Sequence, residues 1–318
     1  MTYAAPIPVY LDCDTGVDDA LALAYLLARS GVEVVGVGTV SGNTSAEQAA
    51  RNTLDLLGIA GRTSIPVAIG AHDHLAQPFA GGATRVHGAN GIGGVELPRA
   101  DAEPDARSAV ELLLDLSRWY PGRLRIIAVG PLTNIALALR ADPTLTQRVT
   151  EITVMGGAAL VPGNVTPVAE ANVFCDPEAA AAVFEADWDV VIVPLDVTHE
   201  HVLDEPGREA LLHAEDPLAR VIGGILDHYF DFYTGLYGMR ASALHDPLAA
   251  AIAVGGVHPT RALRVPVVVD TTDGPGRGQT IVDLRGQRLA PRHHEGVRTT
   301  VVLETATPLA PHLLATLL

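Results

Sequence analysis

The chain has 318 residues, of which 48% are hydrophobic and 18% are charged, and its formal net charge at pH 7 is −16. This length and composition are sufficient for a large buried core. The acidic charge argues against a protein that binds nucleic acid, which requires clustered Lys and Arg. The 21 basic residues are all arginines, so mechanisms that need a Schiff-base lysine or a P-loop lysine are excluded.

The two cysteines, Cys13 and Cys175, predict neither a disulfide framework nor a zinc site. The N-terminal residues lack the basic and apolar regions of a signal peptide, and no apolar run reaches the length of a transmembrane helix. These features predict a cytoplasmic protein that binds neither a membrane nor a nucleic acid.

Runs rich in Val and Ile alternate with helix-like runs rich in Ala and Leu. Strands are expected at 8–13, 32–40, 65–70, 123–130, 151–157 and 189–197. Continuous runs of Val and Ile are typical of strands that are buried on both faces. The pattern therefore predicts an α/β fold with a mostly parallel, doubly wound, Rossmann-like sheet and helices on both faces.

Three further segments complete the expected organisation. Residues 71–105 are rich in Gly, Pro and His without periodicity, which predicts a long functional loop. Residues 204–254 predict helices, and residues 262–303 contain three strand-like runs that are expected to be antiparallel additions. Since no linker or repeat interrupts the chain, residues 1–318 are expected to form a single domain.

The segment DCDTGVDD at 12–19 places four aspartates between the first predicted strand and the first predicted helix. Such a group requires a cation, protonation or strong hydrogen-bond donors. Helix capping explains one or two of these acids. Closely packed carboxylate oxygens suit Ca²⁺ or Mg²⁺, and the segment is not an EF-hand because Gly16 comes one position early and Leu23 stands where the bidentate Glu belongs. The sequence therefore predicts a metal site.

Polar segments also follow other predicted strands. They are TVSGNT at 39–44, GPLTN at 130–134, MGGAALVPGNVTPVAEAN at 155–172 and, before a predicted helix, ALHDP at 243–247. In open α/β sheets, ligands bind beyond the carboxyl ends of the strands. These segments are therefore expected to contribute to one site.

In this order, the segments DCDTGVDDA, SGN, GPLTNIA, MGGA with GNxTPxAExN, and HDP resemble the inosine–uridine-preferring nucleoside hydrolases over about residues 8–254. The resemblance implies an enzyme of nucleoside salvage that hydrolyses the N-glycosidic bond of ribonucleosides to free base and ribose. It also implies a Ca²⁺ cofactor and a homodimer or homotetramer. A free nucleoside carries no phosphate, which agrees with the absence of a basic pocket signature.

The resemblance implies a role for each polar side chain. Asp14, Asp19, Asp246 and the main-chain carbonyl of Thr133 would hold Ca²⁺, and Asp14 would be the general base for a bound water. The residues that would bind the ribose are Asp18, Asn43, Asn164, Glu170 and Asn172. Asp12 would support these groups from behind.

Two histidines are candidates for the leaving base. His245 is the candidate acid that protonates the base, and His87 lies on the long loop and is expected near the base as a catalytic or substrate-binding residue. Tyr229 or Tyr233 is expected to stack on the base. Ala171 stands where the family usually has an aromatic residue, which enlarges the expected pocket.

Two other classes remain open at this level. A phosphohydrolase of the haloacid dehalogenase type also has an aspartate pair after a strand, but its DxDxT spacing differs from DCDTG and it generally uses a lysine. A non-catalytic ribose-binding or calcium-binding protein could use the same scaffold. Such a binder would tolerate Asp14→Asn, whereas the hydrolase would lose turnover.

Overall fold

The computed structural model describes residues 5–287 and 292–318. The strands are β1 (Ile7–Cys13), β2 (Val32–Thr39), β3 (Val67–Ile69), β4 (Arg125–Ala128), β5 (Glu151–Met155), β6 (Asp189–Val193), β7 (Val202–Asp204), β8 (Ala241–Ala243), β9 (Pro259–Arg264), β10 (Val267–Val269), β11 (Thr280–Val282) and β12 (Thr299–Thr305). Among these residues, no helix is long and apolar enough to cross a membrane.

The helices alternate with the strands over most of the chain. They are α1 (Val17–Ala28), α2 (Ala46–Ile59), α3 (Thr84–His87), α4 (Ala109–Trp119), α5 (Thr133–Ala141), α6 (Leu145–Arg148), α7 (Ala171–Cys175), α8 (Pro177–Glu185), α9 (Leu195–Thr198), α10 (Glu205–Leu212), α11 (Pro217–Tyr237), α12 (His245–Ala253) and α13 (Leu309–Leu317).

An eight-stranded sheet in the order β3-β2-β1-β4-β5-β6-β12-β9 forms the centre of the fold. Its neighbouring strands are parallel except for β12 and β9, which pair antiparallel. The pairs β7–β8 and β10–β11 form two small antiparallel sheets. The prediction of a mostly parallel, doubly wound sheet with extra antiparallel strands is confirmed.

Both faces of the central sheet are covered. Val9 and Leu11 of β1 belong to one hydrophobic core, which includes most of α1, whereas Tyr10 belongs to a second core with Leu112 and Leu113 of α4. Successive side chains of a strand point to opposite faces, so these two cores lie on opposite sides of β1. Because both faces of β1 are buried, its sequence is a continuous run of apolar residues.

Three details differ from the sequence-based expectations. The predicted helical segment 204–254 contains β8, which forms because Gly238 ends α11 in a left-handed conformation and the chain then pairs with β7. The long loop 71–105 contains the short helix α3. Of the three added strands in the tail, β12 lies inside the central sheet, parallel to β6, because it fills the position between β6 and β9.

Asp12 connects three elements at the carboxyl edge of the sheet. Its buried carboxylate accepts hydrogen bonds from the hydroxyl of Tyr10 at 2.9 Å and from Nδ2 of Asn134 at 3.1 Å. Nδ2 of Asn134 also donates to the carbonyl of Thr39 at 2.9 Å, and its Oδ1 accepts from the N–H of Ala71. The side chain of Asp12 therefore joins β1 to α5 and, through Asn134, to β2.

The stability contributed by Asp12 is expected to depend on pH. Burial raises the pKa of Asp12 to about 7, and the hydrogen bonds from Asn134 and Tyr10 offset this only in part. An unfolded aspartate ionises at ~4, so between these values the folded chain holds an extra proton. The stability that Asp12 contributes is therefore complete below pH ~4 and is lost as pH rises towards 7.

Asp12→Asn has no ionisable group and is expected to lose this dependence. Between pH 5 and pH 7.5, the free energy of unfolding of the variant should rise relative to the unchanged protein by ~1–3 kcal/mol. Urea unfolding at several pH values measures this difference. Asp273→Asn, at an exposed position, is the control and should give a constant difference. Parallel stability curves for Asp12→Asn and the unchanged protein would contradict the prediction.

Candidate active site

Four aspartates are buried together where β1 ends. Asp14 is the first residue after β1, Asp18 and Asp19 occupy the first turn of α1, and Asp246 occupies the first turn of α12. One carboxylate oxygen of each of Asp18, Asp19 and Asp246 lies within 4.8 Å of those of the other two. The positive ends of two helix dipoles therefore face this acidic group and partly offset its charge.

Asn43 ties Asp14 to Asp19. Its Nδ2 lies 3.2 Å from Oδ1 of Asp14 and 3.1 Å from Oδ2 of Asp19, and its main-chain N–H donates to Oδ2 of Asp14 at 2.6 Å. A Cβ atom at Gly42 would lie 2.0 Å from Oδ2 of Asp14, so the SGN segment needs glycine for this approach. Asp14 and Asp19 therefore face the same amide.

The acidic group lacks a fixed positive counter-charge. Burial, together with the neighbouring carboxylates, raises the pKa of Asp14 and Asp246, and it raises the pKa of Asp18 to about 7. In the part of the chain that the structure describes, no arginine forms an ion pair with these aspartates, and Oδ1 of Asp18 is buried without a hydrogen-bond partner. Hard carboxylate oxygens and an orphaned acceptor fit a dication such as Ca²⁺.

Thr133 begins α5. Its buried hydroxyl donates to Oδ2 of Asp176 at 2.6 Å and lies 3.4 Å from Nδ1 of His74. Asp176 also accepts from the N–H of Leu75 at 2.9 Å and from that of Ala179 at 3.0 Å, at the start of α8. Sequence reasoning missed Asp176, although an aspartate followed by proline is the usual start of a helix.

His87 lies against the start of α1. Its Nδ1 accepts the N–H of Val17 at 3.1 Å and is 3.8 Å from Oδ1 of Asp18. Since Nδ1 accepts a hydrogen bond, it carries no proton, and the contact with Asp18 is not an ion pair. Burial lowers the pKa of His87 to about 3, with a contribution from the nearby His228. The structure thus brings His87 to the acidic group in its neutral form.

His245 is held at both ring nitrogens. Nε2 is 2.9 Å from the hydroxyl of Tyr233, and Nδ1 is 2.7 Å from Oγ1 of Thr198. Burial lowers the pKa of His245 to about 3, with smaller effects of His199 and His87. The ring is therefore neutral at neutral pH. Thr198 was not identified from the sequence, because a single threonine at the end of a strand-to-helix turn carries no recognisable signal.

Two tyrosines on α11 lie between the two histidines. The rings of Tyr229 and Tyr233 are 4.9 Å apart in an edge-to-face arrangement, and Tyr229 is 5.3 Å from the ring of His87. Tyr229 lies near enough to Asp18 to oppose the rise in the pKa of that carboxyl group, and the charge of Asp18 raises the pKa of Tyr229. Tyr229 therefore lies on the side of the acidic group, and Tyr233, one helical turn later on α11, contacts His245.

Glu170 is buried at the start of α7. Its carboxylate accepts the N–H groups of Asn172 at 2.9 Å, Gly157 at 3.0 Å and Val173 at 3.1 Å. Burial raises the pKa of Glu170, and these hydrogen bonds oppose the rise. The charge of Glu170 contributes to the raised pKa of Asp246, so the two carboxyl groups lie close enough to interact.

Asn172 and Asn164 have different surroundings. Nδ2 of Asn172 donates to the carbonyls of Val129 at 2.9 Å and Met155 at 3.2 Å, and so bridges the ends of β4 and β5. Asn164 is exposed on the loop before α7, where its Oδ1 accepts the N–H of Ala171 at 3.0 Å. The structure therefore brings Asn172 to the carboxyl edge of the sheet and leaves Asn164 at the surface.

The chain is similar to known nucleosidases and nucleoside hydrolases. A probable uridine nucleosidase 2 of Arabidopsis thaliana is 37% identical over 282 residues, covering 88% of this chain and 84% of that protein. An inosine-uridine preferring nucleoside hydrolase of Crithidia fasciculata is 36% identical, with 91% and 90% covered. The solved plant nucleoside hydrolase PpNRh1 superimposes with a TM-score of 0.88 at 31% identity and covers 98% of each chain.

The family model of the inosine-uridine preferring nucleoside hydrolases matches residues 9–308. This range includes the acidic group, both histidines and the tyrosines of α11. With relatives above 30% identity over most of its length, the chain belongs to the inosine-uridine preferring nucleoside hydrolase family.

Proposed function

We propose that this nucleoside hydrolase cleaves the N-glycosidic bond of ribonucleosides with the aid of Ca²⁺, Asp14 and His245. The observation that carries the proposal is the buried acidic group, which has no arginine partner within residues 5–287 and 292–318, next to two neutral histidines. Because its relatives are named for uridine and inosine, both nucleosides are proposed as substrates.

Ca²⁺ would be held by Asp14, Asp19, Asp246 and the main-chain carbonyl of Thr133. When bound, it would lower the pKa of a coordinated water and supply positive charge to the carboxylates. Their raised pKa values support this, because a dication favours the ionised forms that burial disfavours. Asp18 belongs to the tightest group of oxygens, and it is proposed for the ribose on the resemblance to the family alone.

Asp14 is proposed as the general base. Without a metal, burial and the charge of Asp19 raise the pKa of Asp14, and bound Ca²⁺ would oppose this rise and keep the carboxylate ionised, the form that accepts a proton. The carboxylates would also stabilise the positive charge that develops on the ribosyl group as the glycosidic bond breaks. The proposed ribose ligands are Asp18, Asn43, Asn164, Glu170 and Asn172.

His245 is proposed to serve the leaving base. Since its ring is neutral, it would stabilise the departing base by donating a hydrogen bond from its N–H group, directly or through the hydroxyl of Tyr233, and it would keep its own proton. The proton that the free base finally carries would come from the water that Asp14 deprotonates. His87, on the other side of the tyrosines, is proposed to contact the base. The family match favours this reaction over the phosphohydrolase alternative.

Three broader expectations stay predictions: a single domain over 1–318, a homodimer or homotetramer, and a cytoplasmic location. One hydrophobic core that extends from Val9 to Leu317 supports the first of them. The non-catalytic binder is separated from the enzyme by the turnover experiments below.

Inosine and uridine are expected to give free base and ribose, measured by chromatography and by reducing sugar. Asp14→Asn should lower kcat ~10²–10⁴-fold because the base is lost. Its Ca²⁺ affinity, measured by calorimetry, distinguishes a lost base from a lost metal ligand. Release of phosphate from uridine 5′-phosphate without free base, or full turnover by Asp14→Asn, would contradict the proposal.

Removal of Ca²⁺ with EGTA is expected to abolish turnover, and added Ca²⁺ should restore it. Added Ca²⁺ should also raise the melting temperature, more at pH 8 than at pH 5.5, because the buried carboxyl groups must lose protons to bind it. Asp246→Asn should remove most of this shift in melting temperature. Undiminished turnover by metal-free protein would rule out the proposed role of the metal.

His245→Ala is expected to slow hydrolysis of inosine and uridine ~10²–10⁴-fold, the range of general acid catalysis. On p-nitrophenyl riboside, whose leaving group departs without protonation, the loss should be much smaller. His213→Ala, at an exposed position, is the control. Equal losses on both kinds of substrate would show that His245 does not assist the leaving base.

A further inference from the structure

Thr198 is a buried residue that contacts His245 from a different element. It ends α9, the short helix after β6, and it has no exposed surface. Its Oγ1 lies 2.7 Å from Nδ1 of His245, which is 47 positions later in the chain. Within residues 5–287 and 292–318, Nδ1 of His245 is the one hydrogen-bond partner of this hydroxyl.

This contact bears on which ring nitrogen carries the proton, because the ring tautomer decides which atom of the pair is the donor. A hydroxyl has one proton to donate, and Nδ1 of His245 is the acceptor that the described residues place within reach of Thr198. If the hydroxyl donates to Nδ1, the single proton of a neutral ring lies on Nε2. Nε2 faces the hydroxyl of Tyr233 at 2.9 Å.

We propose that Thr198 is a positioning residue for the leaving-group step. Its hydroxyl fixes the rotation of the His245 ring and keeps the ring proton on Nε2, on the side of the tyrosines of α11. Thr198 does not touch the substrate, and it acts through His245. The inference rests on the proposed role of His245 towards the leaving base.

The surroundings of the ring explain why one hydroxyl has this effect. His199 packs edge-on against His245 with ring centroids 5.2 Å apart, and the side chain of His245 is buried. Without the hydroxyl of Thr198, Nδ1 is left in a buried environment without a partner, whichever tautomer the ring adopts. The contact with Tyr233 can then form with Nε2 as donor or as acceptor, and only the donor form is productive.

Thr198→Val removes the hydroxyl and keeps the shape of the side chain, and Thr198→Ser keeps the hydroxyl. Thr198→Val is expected to lower kcat for uridine and inosine ~10-fold, the effect of about one lost hydrogen bond, with KM changed less than ~2-fold. Its activity on p-nitrophenyl riboside should stay within ~2-fold of the unchanged protein. Thr198→Ser should restore kcat to within ~3-fold.

Equal losses on both kinds of substrate would show a purely structural role and overturn the inference, as would unchanged kcat in Thr198→Val. A second measurement does not depend on the folding of a variant. Two-bond ¹H–¹⁵N NMR spectra of the Ca²⁺-loaded, unsubstituted protein should show the His245 ring with its proton on Nε2. A proton on Nδ1 would overturn the inference.

His245→Ala, measured beside these variants, separates this inference from the proposed function. If His245→Ala loses activity equally on all substrates, the leaving-group role of His245 fails, and Thr198 then has no such role to support. If His245→Ala is selective and Thr198→Val is not, only the inference about Thr198 fails.

Discussion

The burial of four like-charged carboxyl groups at the end of β1 is the constraint on which the rest of the site depends. Repulsion between them is reduced by neutral donors and helix dipoles: the amide of Asn43, the N–H of Gly16 and the first turns of α1 and α12. These donors leave the pKa values raised, because burial has the larger effect. The fold therefore holds the carboxylates so close together that only added positive charge can fully offset their mutual repulsion.

Much of the fold and of this group could be predicted because their signals are local. Apolar runs identify the parallel strands, and the aspartates directly follow one of them, so their common position at the carboxyl edge follows from the topology. Residues that reach the site by tertiary packing had no such signal. Thr198 and Asp176 come from single turns, and β8 exists because β7 is available to pair with it.

The state of the histidines also depends on packing rather than on sequence. From the sequence alone, a histidine near an aspartate is expected to be a positively charged acid. His87 and His245 are both buried, however, and burial lowers their pKa values to about 3. In each case a ring nitrogen is satisfied by a neutral group, the N–H of Val17 or the hydroxyls of Thr198 and Tyr233. Only the three-dimensional neighbours reveal that these rings are hydrogen-bonding groups without charge.

The site is thus divided into an acidic half and a neutral half, with Tyr229 and Tyr233 at the boundary. This division matches the charges of N-glycosidic cleavage, in which positive charge develops on the ribosyl group and the base must leave with an added proton. Carboxylates beside the ribose favour that cation, while an imidazolium close to it would oppose it. In the proposed mechanism, a neutral His245 oriented by Thr198 would therefore serve the base without reducing the electrostatic stabilisation that the aspartates would provide.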